Sequence, residues 1–174
     1  MSIISKKICL IGDFGVGKTS LIRRFVDRQF SDKYLSTVGV KISRKSIEVS
    51  VSEQQKNLTL QLLIWDIEGS TKFKGVSASY FQGAKGAIIV GDVTRPETLE
   101  NISAHIQAFI KVNPQSKVII ALNKSDLIDA EYLEKYCQLY SFKDNKNFVS
   151  TYASSAKGGT NVDEIFQSLA NSMI

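Results

Sequence analysis

The chain has few cysteines, with only two among its 174 residues. Cys9 lies in an apolar run and Cys137 in a helical stretch, and neither has a neighbour at metal-ligand spacing or an evident disulfide partner. No apolar run reaches the roughly 20 residues that span a bilayer, and residues 1–7 lack the apolar stretch of a signal peptide. These absences argue against a secreted disulfide scaffold or a membrane-spanning protein, and they predict reduced interior cysteines in a cytoplasmic protein.

Basic residues outnumber acidic ones, but they are scattered along the chain. The formal net charge of +5 favours anions as ligands. No basic cluster with interleaved aromatic residues is present, so a nucleic acid is not expected as a partner. The apolar content of 43% is ordinary for a globular protein, and residues 1–174 are expected to form one domain without repeats or linkers.

Strand-like apolar runs alternate with helix-like stretches along almost the whole chain. Strands are predicted at residues 8–11, 41–51, 58–66, 87–93, 118–122 and 148–153, and helices at 19–27, 98–112, 130–139 and 162–173. The second run alternates as an edge strand does, whereas the fourth and fifth are apolar throughout, which is typical of strands covered on both faces. The order β-α-β-β-α-β-α-β-α-β-α predicts a six-stranded, mostly parallel α/β sheet with one antiparallel edge strand and helices on both faces.

A glycine-rich loop follows the first strand. Residues 12–19, GDFGVGKT, match the pattern G-x-x-x-x-G-K-[ST] between a strand and a helix. Such glycines let backbone N–H groups point at a phosphate, and the start of the helix adds a favourable dipole. Nucleotide contacts are expected from Gly15, Val16, Gly17, Lys18, Thr19 and Ser20. The pattern predicts a phosphate-binding P-loop, with an accidental glycine turn as the alternative, and does not choose between ATP and GTP.

Two residues of the P-loop have specific expected roles. The Lys18 ammonium can reach the terminal phosphates of a nucleotide, and the Thr19 hydroxyl can coordinate Mg²⁺. Both therefore belong to the predicted site for a nucleotide with its metal.

Polar motifs follow the last two predicted strands, where ligands bind in open α/β sheets. N-K-S-D occupies residues 123–126 and S-S-A-K residues 154–157. The Asp126 carboxylate can accept hydrogens from guanine N1–H and the exocyclic amine, whereas adenine would leave it unpaired at a cost of a few kcal/mol. Ser125 or Asp126 could instead be a helix N-cap, and S-S-A-K a polar turn. Both motifs together, in order behind a P-loop, indicate guanine.

Further motifs carry a resemblance to a known family. F-S-D-K-Y-L-S-T-V-G-V at residues 30–40 resembles the first switch of Rab proteins, and W-D-I-E-G at 65–69 matches W-D-x-x-G. With the P-loop, N-K-S-D and the final S-A-K-G-G-T-N-V-D-E-I-F, the chain is similar to Ras-superfamily small GTPases over residues 7–173. It resembles the Rab branch more than Ras, Rho or Arf.

The resemblance implies a switch that binds GTP or GDP with Mg²⁺. Nucleotide contacts outside the P-loop are implied for Phe30, Tyr34, Thr37, Asp66, Gly69, Asn123, Lys124, Asp126, Ser155, Ala156 and Lys157. The implied metal ligands are Thr19, Thr37 and Asp66, and the implied catalytic residues are Lys18, Thr37, Gly69 and Ser70. Phe30 would pack on guanine, the Ala156 N–H would meet its O6, and the Gly69 N–H would meet the γ-phosphate. The implied partners of a monomer are effectors, an exchange factor and a GTPase-activating protein.

The chain departs from the Rab pattern at three places. Ser70 stands where Rab proteins carry the catalytic glutamine, and Glu68 replaces the alanine that precedes the switch glycine, Gly69. Phe14 fills a P-loop position that is usually small. The sequence ends at Ile174 without a cysteine to prenylate, which leaves membrane association open. An atypical, prokaryotic Rab-like protein would account for these departures. Glu68 is expected to face away from the phosphate, because a carboxylate there would repel it.

Three functions are compatible with these motifs. The first is a regulatory GTPase that hydrolyses slowly, and the second is a nucleotide-dependent binding module that hardly hydrolyses, since Ser70 is too short to orient water. The third, a P-loop kinase, lacks a lid segment and conflicts with N-K-S-D. His105 is expected to lie away from every motif as a surface or packing residue.

Overall fold

The strands and helices follow the predicted order in a computed structural model, which describes residues 3–33, 39–51, 56–69 and 78–174. The strands are β1 Ile3–Gly12, β2 Val40–Val51, β3 Lys56–Ile67, β4 Gly86–Asp92, β5 Lys117–Asn123 and β6 Phe148–Ala153. The helices are α1 Lys18–Asp27, α2 Ala78–Phe81, α3 Pro96–Glu100, α4 Ile102–Val112, α5 Ala130–Leu139 and α6 Val162–Ser172, with a 3₁₀ turn at Ser125–Leu127.

The six strands form one sheet in the order β2-β3-β1-β4-β5-β6. Among the described strands, β2 alone runs antiparallel to its neighbour, and the other pairings are parallel. Every residue of β4 is buried, as its apolar residues 86–91 predict, and the burial includes Asp92 at its end; β2 at the edge alternates between exposed and less exposed side chains. The predicted α/β architecture with one antiparallel edge strand is therefore confirmed.

Two apolar layers form because successive side chains of each strand point to opposite faces of the sheet. Ile8 and Leu10 of β1 pack on the face covered by α1 and α6, where the rings of Phe25 and Phe166 stack with centroids 4.0 Å apart. Cys9 points to the opposite face, where burial raises the pKa of its thiol to about 12. Cys9 is an interior residue as predicted, whereas Cys137 is only half-buried.

Most of the predicted bounds shift by one or two residues, and two differences from the sequence prediction are larger. β1 begins at Ile3 rather than residue 8, because residues 3–7 pair with residues 59–63 of β3 although their side chains are largely exposed. The predicted helix at residues 98–112 is two helices, α3 and α4, separated at Asn101. The Asn101 side chain donates to Asp13 of the P-loop at 2.7 Å, a contact between distant segments that helical periodicity cannot reveal.

The parallel arrangement brings five strand ends to one edge of the sheet. The P-loop follows β1, W-D-I-E-G ends β3, and Asp92 ends β4. N-K-S-D follows from β5 and S-S-A-K from β6 at the same edge. Over the described ranges, no helix is long and apolar enough to cross a membrane.

Candidate nucleotide site

A cavity of about 370 Å³ lies at this edge of the sheet. Its lining includes the predicted contacts Gly15, Gly17, Lys18, Thr19, Ser20, Phe30, Gly69, Asn123, Lys124, Asp126, Ala156 and Lys157, together with Phe14. Val16, Asp66 and Ser155 are buried and do not line the cavity. The predicted residues Tyr34, Thr37 and Ser70 lie outside the described residues. The sequence motifs thus converge on one cavity.

The P-loop needs glycine where its chain turns. Gly15 and Gly17 have φ values of 74° and 101°, in the left-handed region that glycine adopts without strain. A Cβ atom on Gly17 would also collide with the side-chain amide of Asn123. The glycine pattern therefore reflects both backbone conformation and close contact with the residue that ends β5.

Side chains from N-K-S-D hold the P-loop from outside. The Asn123 amide donates to the Val16 carbonyl at 2.9 Å, and the Lys124 ammonium donates to the Gly15 carbonyl at 3.0 Å. Because C=O and N–H of a trans peptide point in opposite directions, the N–H groups of Val16 and Gly17 face the inside of the loop. The sequence motif that suggested base recognition thus also orients two amides toward an anion.

Lys18 is the buried cation of the loop. Its side chain is 6% exposed, and its ammonium donates to the Gly12 and Asp13 carbonyls at 3.0 Å each. Burial lowers the pKa of Lys18 to about 8, although the nearby carboxylates of Asp66 and Asp13 act to raise it. A phosphate beside this ammonium would stabilise its charged form.

We expect the affinity for GDP to fall as the pH rises above about 8, the pKa of Lys18 in the free protein. Phosphates that contact the ammonium raise its pKa, so its contribution is fully present below that pH and declines by up to tenfold per pH unit above it. GDP titrations between about pH 7 and 9 measure the slope. The matched Lys18→Arg variant stays charged and should show no such slope, whereas a pH-independent wild-type affinity would contradict the role of Lys18.

Two oxygen donors lie together at the start of α1. The Thr19 hydroxyl donates to Asp66 Oδ2 at 2.5 Å, and Asp66 is buried. Hydroxyl and carboxylate oxygens suit Mg²⁺, which usually keeps water and phosphate oxygens as its remaining ligands. Within the described ranges no group of three His, Cys, Asp or Glu side chains could form an all-protein cage. The donor set therefore fits Mg²⁺ bound together with phosphates.

The other end of the cavity carries the predicted base-recognition residues. Asp126 Oδ1 accepts a hydrogen bond from the Ser155 hydroxyl at 2.8 Å, which fixes the carboxylate. Lys124 has a left-handed φ of 64° and turns the chain from β5 into the 3₁₀ turn. Lys124 and Asp129 are the residues that precede the 3₁₀ turn and α5, so the alternative of Ser125 or Asp126 as a helix N-cap is wrong.

The loop after β6 presents the Ala156 amide. The Ser155 carbonyl accepts from the Gly159 N–H at 2.8 Å, so the Ala156 N–H of the same peptide points in the opposite direction. The Arg24 guanidinium donates to the Ala156 carbonyl at 2.7 Å and fixes the next peptide. Residues 156–159 form a turn, as the polar-turn alternative describes, and Ala156 within this turn lies in the cavity lining.

Glu68 and Gly69 occupy the rim beside the P-loop. Glu68 Oε2 accepts from the Gly39 N–H at 3.1 Å, and the Glu68 N–H donates to the Gly39 carbonyl at 2.8 Å. A Cβ atom on Gly69 would lie 2.7 Å from both Lys18 Nζ and Phe14 Cα, so only glycine allows this approach. Glu68 therefore contacts the residue that precedes β2, and its expected structural role stays a prediction.

The expectation that His105 lies away from every motif is wrong, because His105 contacts the P-loop. Its Nε2 is 2.8 Å from Asp13 Oδ1, while Asn101 donates to Asp13 Oδ2. Burial acts to raise the pKa of Asp13, but the hydrogen bonds from His105 and Asn101, with the Lys18 charge, hold it below its usual value. Asn101 and His105 are four residues apart and so share a helix face, a spacing that could have suggested a common partner.

Asp92 is a second residue that sequence reasoning missed. It is buried at the end of β4, and its Oδ2 lies 2.8 Å from Lys124 Nζ. Its Oδ1 accepts from the backbone N–H and the hydroxyl of Thr94. Asp92 therefore fixes the lysine that holds the Gly15 carbonyl.

The fold and the site define an α/β protein of the P-loop nucleotide-binding class. The family model described as "Ras family" matches residues 7–174. The GTP-binding protein ypt4 of Schizosaccharomyces pombe is 34% identical over 174 residues, which cover 97% of this chain and 71% of ypt4. Ras-related protein Rab-13 of Canis lupus familiaris is 35% identical over 170 residues, covering 97% of this chain and 79% of Rab-13. Rab-22A of Homo sapiens is 34% identical over 168 residues, covering 95% and 82%.

The chain therefore belongs to the Ras family, within which its relatives are Rab and Ypt proteins. It is a Rab-like small GTPase, a guanine-nucleotide-binding switch that hydrolyses GTP. This membership excludes the P-loop kinase alternative.

Proposed function

We propose that the cavity binds GTP or GDP with its guanine beside Asp126 and its phosphates in the P-loop, together with Mg²⁺. The observation that carries this proposal is the pairing of opposite chemistries in one cavity. A carboxylate held by Ser155 lies at one end, and the buried Lys18 ammonium lies at the other. A purine with two ring-edge donors and an anionic tail complements both ends.

Base recognition rests on three groups of the lining. The Asp126 carboxylate accepts the two guanine donors, and the Ala156 N–H donates to guanine O6. Phe30 is half-buried against the apolar core and offers its ring as a packing surface for the base. The hydrogen bond from Ser155 supports this role for Asp126, because it fixes the carboxylate before the base arrives.

Phosphate binding and hydrolysis rest on charge stabilisation by groups that are already oriented. The inward N–H groups of Val16 and Gly17 and the Lys18 ammonium stabilise charge that develops on the phosphoryl oxygens when water attacks the γ-phosphorus. The Gly69 N–H is assigned to the γ-phosphate. Thr19 and Asp66, with Thr37, would hold Mg²⁺, which neutralises charge on the β- and γ-phosphates when bound.

The switch works through partners that distinguish its two nucleotide states. As a monomer it would contact effectors in the GTP state, with an exchange factor and a GTPase-activating protein setting the population of each state. Tyr34, Thr37 and Ser70 are assigned to the parts that respond to the γ-phosphate. The hydrogen bond between Glu68 and Gly39 supports coupling between the two switch segments. Gly39 follows the segment that contains Tyr34 and Thr37, and Glu68 precedes the segment that begins at Ser70.

We expect intrinsic GTP hydrolysis to be very slow, because Ser70 lacks the length of a water-orienting glutamine. Ser70→Gln should accelerate single-turnover hydrolysis, by tenfold or more if positioning of water limits the rate. The matched Ser70→Ala variant removes the hydroxyl without adding an amide and should leave the slow rate unchanged.

Single-turnover hydrolysis of Glu68→Ala completes this test. We expect its rate to stay near that of the wild type, since the Glu68 carboxylate bonds to Gly39. Fast wild-type turnover that Glu68→Ala abolishes would overturn the assignment and identify Glu68 as the group that orients water.

A further inference from the structure

We propose that Arg95, in the loop between β4 and α3, is a positioning residue that orients the terminal-phosphate end of the P-loop and thereby sets the affinity for diphosphates. This inference rests on the proposed function of the cavity. It assigns to Arg95 a role that none of the recognised motifs contains.

Three successive carbonyls of the P-loop accept hydrogen bonds from side chains outside the loop, and Arg95 is the donor to the first of them. Its Nη2 donates to the Phe14 carbonyl at 2.7 Å, next to the Gly15 and Val16 carbonyls that Lys124 and Asn123 hold at 3.0 and 2.9 Å. By the same trans-peptide geometry, the Gly15 N–H then points to the inside of the loop. Loss of Arg95 would remove this hydrogen bond from the first of three successive peptides.

The Arg95 guanidinium is itself fixed by Asp92. Asp92 Oδ2 accepts from Arg95 Nε at 3.1 Å and from Lys124 Nζ at 2.8 Å, so one buried oxygen holds both cations. Burial acts to raise the pKa of Asp92, but hydrogen bonds from Lys124 and Thr94 hold it below its usual value, so the carboxylate is charged at neutral pH. Both cations are therefore oriented before a nucleotide binds, which lowers the entropic cost of binding.

The position of Arg95 limits its effect to one end of the nucleotide. The Phe14 carbonyl that Arg95 contacts follows the Asp13 carbonyl that accepts from the phosphate-binding Lys18, whereas Asp126 belongs to the base-recognition motif after β5. The positive charge of Arg95 also acts on Lys18, where it opposes protonation. The positive charges of Arg95 and Lys18 thus both attract the terminal phosphates, whereas neither charge contributes to binding of the base.

If Arg95 only stabilised the fold, its loss would not change the relative affinities for GDP and GMP. The Arg95 side chain is 38% exposed, and loss of its bond to Asp92 alone would lower stability without favouring one nucleotide over another. The ratio of GDP affinity to GMP affinity separates the two cases, because GMP has no phosphate at the terminal end.

The experiment measures displacement of a fluorescent GDP analogue by GDP and by GMP, in Mg²⁺, for Arg95→Ala, Arg95→Gln and Arg95→Lys. We expect Arg95→Ala to weaken GDP roughly ten- to hundredfold and GMP less than threefold, the scale of one hydrogen bond to a charged group. Arg95→Gln should show the same selective loss. Arg95→Lys should recover only part of it, because an ammonium cannot reproduce the two-sided fork.

The matched control is Arg44→Ala, which removes an exposed arginine on β2 that does not line the cavity. It should keep the GDP-to-GMP ratio of the wild type, with folding checked by circular dichroism for every variant. Equal losses of GDP and GMP affinity, or no loss of GDP affinity, in folded Arg95→Ala and Arg95→Gln would overturn the role of Arg95. Failure of wild-type protein to prefer GDP over ADP would instead reject the proposed function.

Discussion

Replacing Asp126 with asparagine should change the base preference of the site from guanine to xanthine. The asparagine Oδ1 can still accept from Ser155, so its amide nitrogen takes the place of the oxygen that faces the base. That nitrogen cannot accept the guanine donors but can donate to the carbonyl that xanthine carries in place of the amine. We expect GDP affinity to fall by at least a hundredfold, the equivalent of about 3 kcal/mol, and xanthosine diphosphate affinity to rise.

The measurement is displacement of a fluorescent guanine nucleotide by GDP and by xanthosine diphosphate. Asp129→Asn is the matched control, since Asp129 is an exposed acid three residues further on and does not line the cavity. It should leave both affinities unchanged. An Asp126→Asn protein that still prefers GDP would show that Asp126 does not read the base.

Replacing Thr19 with asparagine should weaken GTP far more than GDP. The Thr19 hydroxyl lies 2.5 Å from Asp66 Oδ2, and the longer amide cannot occupy the same position between α1 and β3. Because Mg²⁺ joins the β- and γ-phosphates of GTP, loss of a metal-binding oxygen affects the triphosphate most. We expect a tenfold to hundredfold selective loss of GTP affinity, the usual scale for damage to a metal site.

Equilibrium titrations with GTP and GDP, each with Mg²⁺ and with EDTA, measure this selectivity. Thr59→Asn makes the same substitution at a threonine on β3 whose hydroxyl donates to Glu48, away from the cavity. It should behave as the wild type. Wild-type GTP affinity that is equal in Mg²⁺ and in EDTA would contradict the metal assignment.

The interior of the fold could be predicted from the sequence because apolar patterns record burial directly. The apolar runs of β4 and β5 predicted two buried strands, and the alternating pattern of β2 predicted an edge strand. The first half of β1 could not be found in this way, since its side chains are exposed and only pairing with β3 makes it a strand. The break at Asn101 coincides with a hydrogen bond from its side chain to Asp13, which is 88 residues away in the chain.

The predictable part of the site is the part whose chemistry is contiguous in sequence. The P-loop, N-K-S-D and S-S-A-K each hold their spacing within a few residues, and these segments converge on the cavity. Asp92, Arg95 and His105 stand outside any such motif. They meet the P-loop because parallel strands bring separate loops to one edge of the sheet, so their contacts follow from topology rather than from local sequence.

The most direct test of guanine recognition is competition between GTP and ATP for the same site. Wild-type protein loaded with a fluorescent GDP analogue is titrated with each triphosphate in Mg²⁺, and the concentration that displaces half of the analogue is compared. GTP should act at a concentration at least about a hundredfold lower than ATP, because adenine leaves the Asp126 carboxylate unpaired. Displacement by GTP and ATP at equal concentrations would contradict the guanine site.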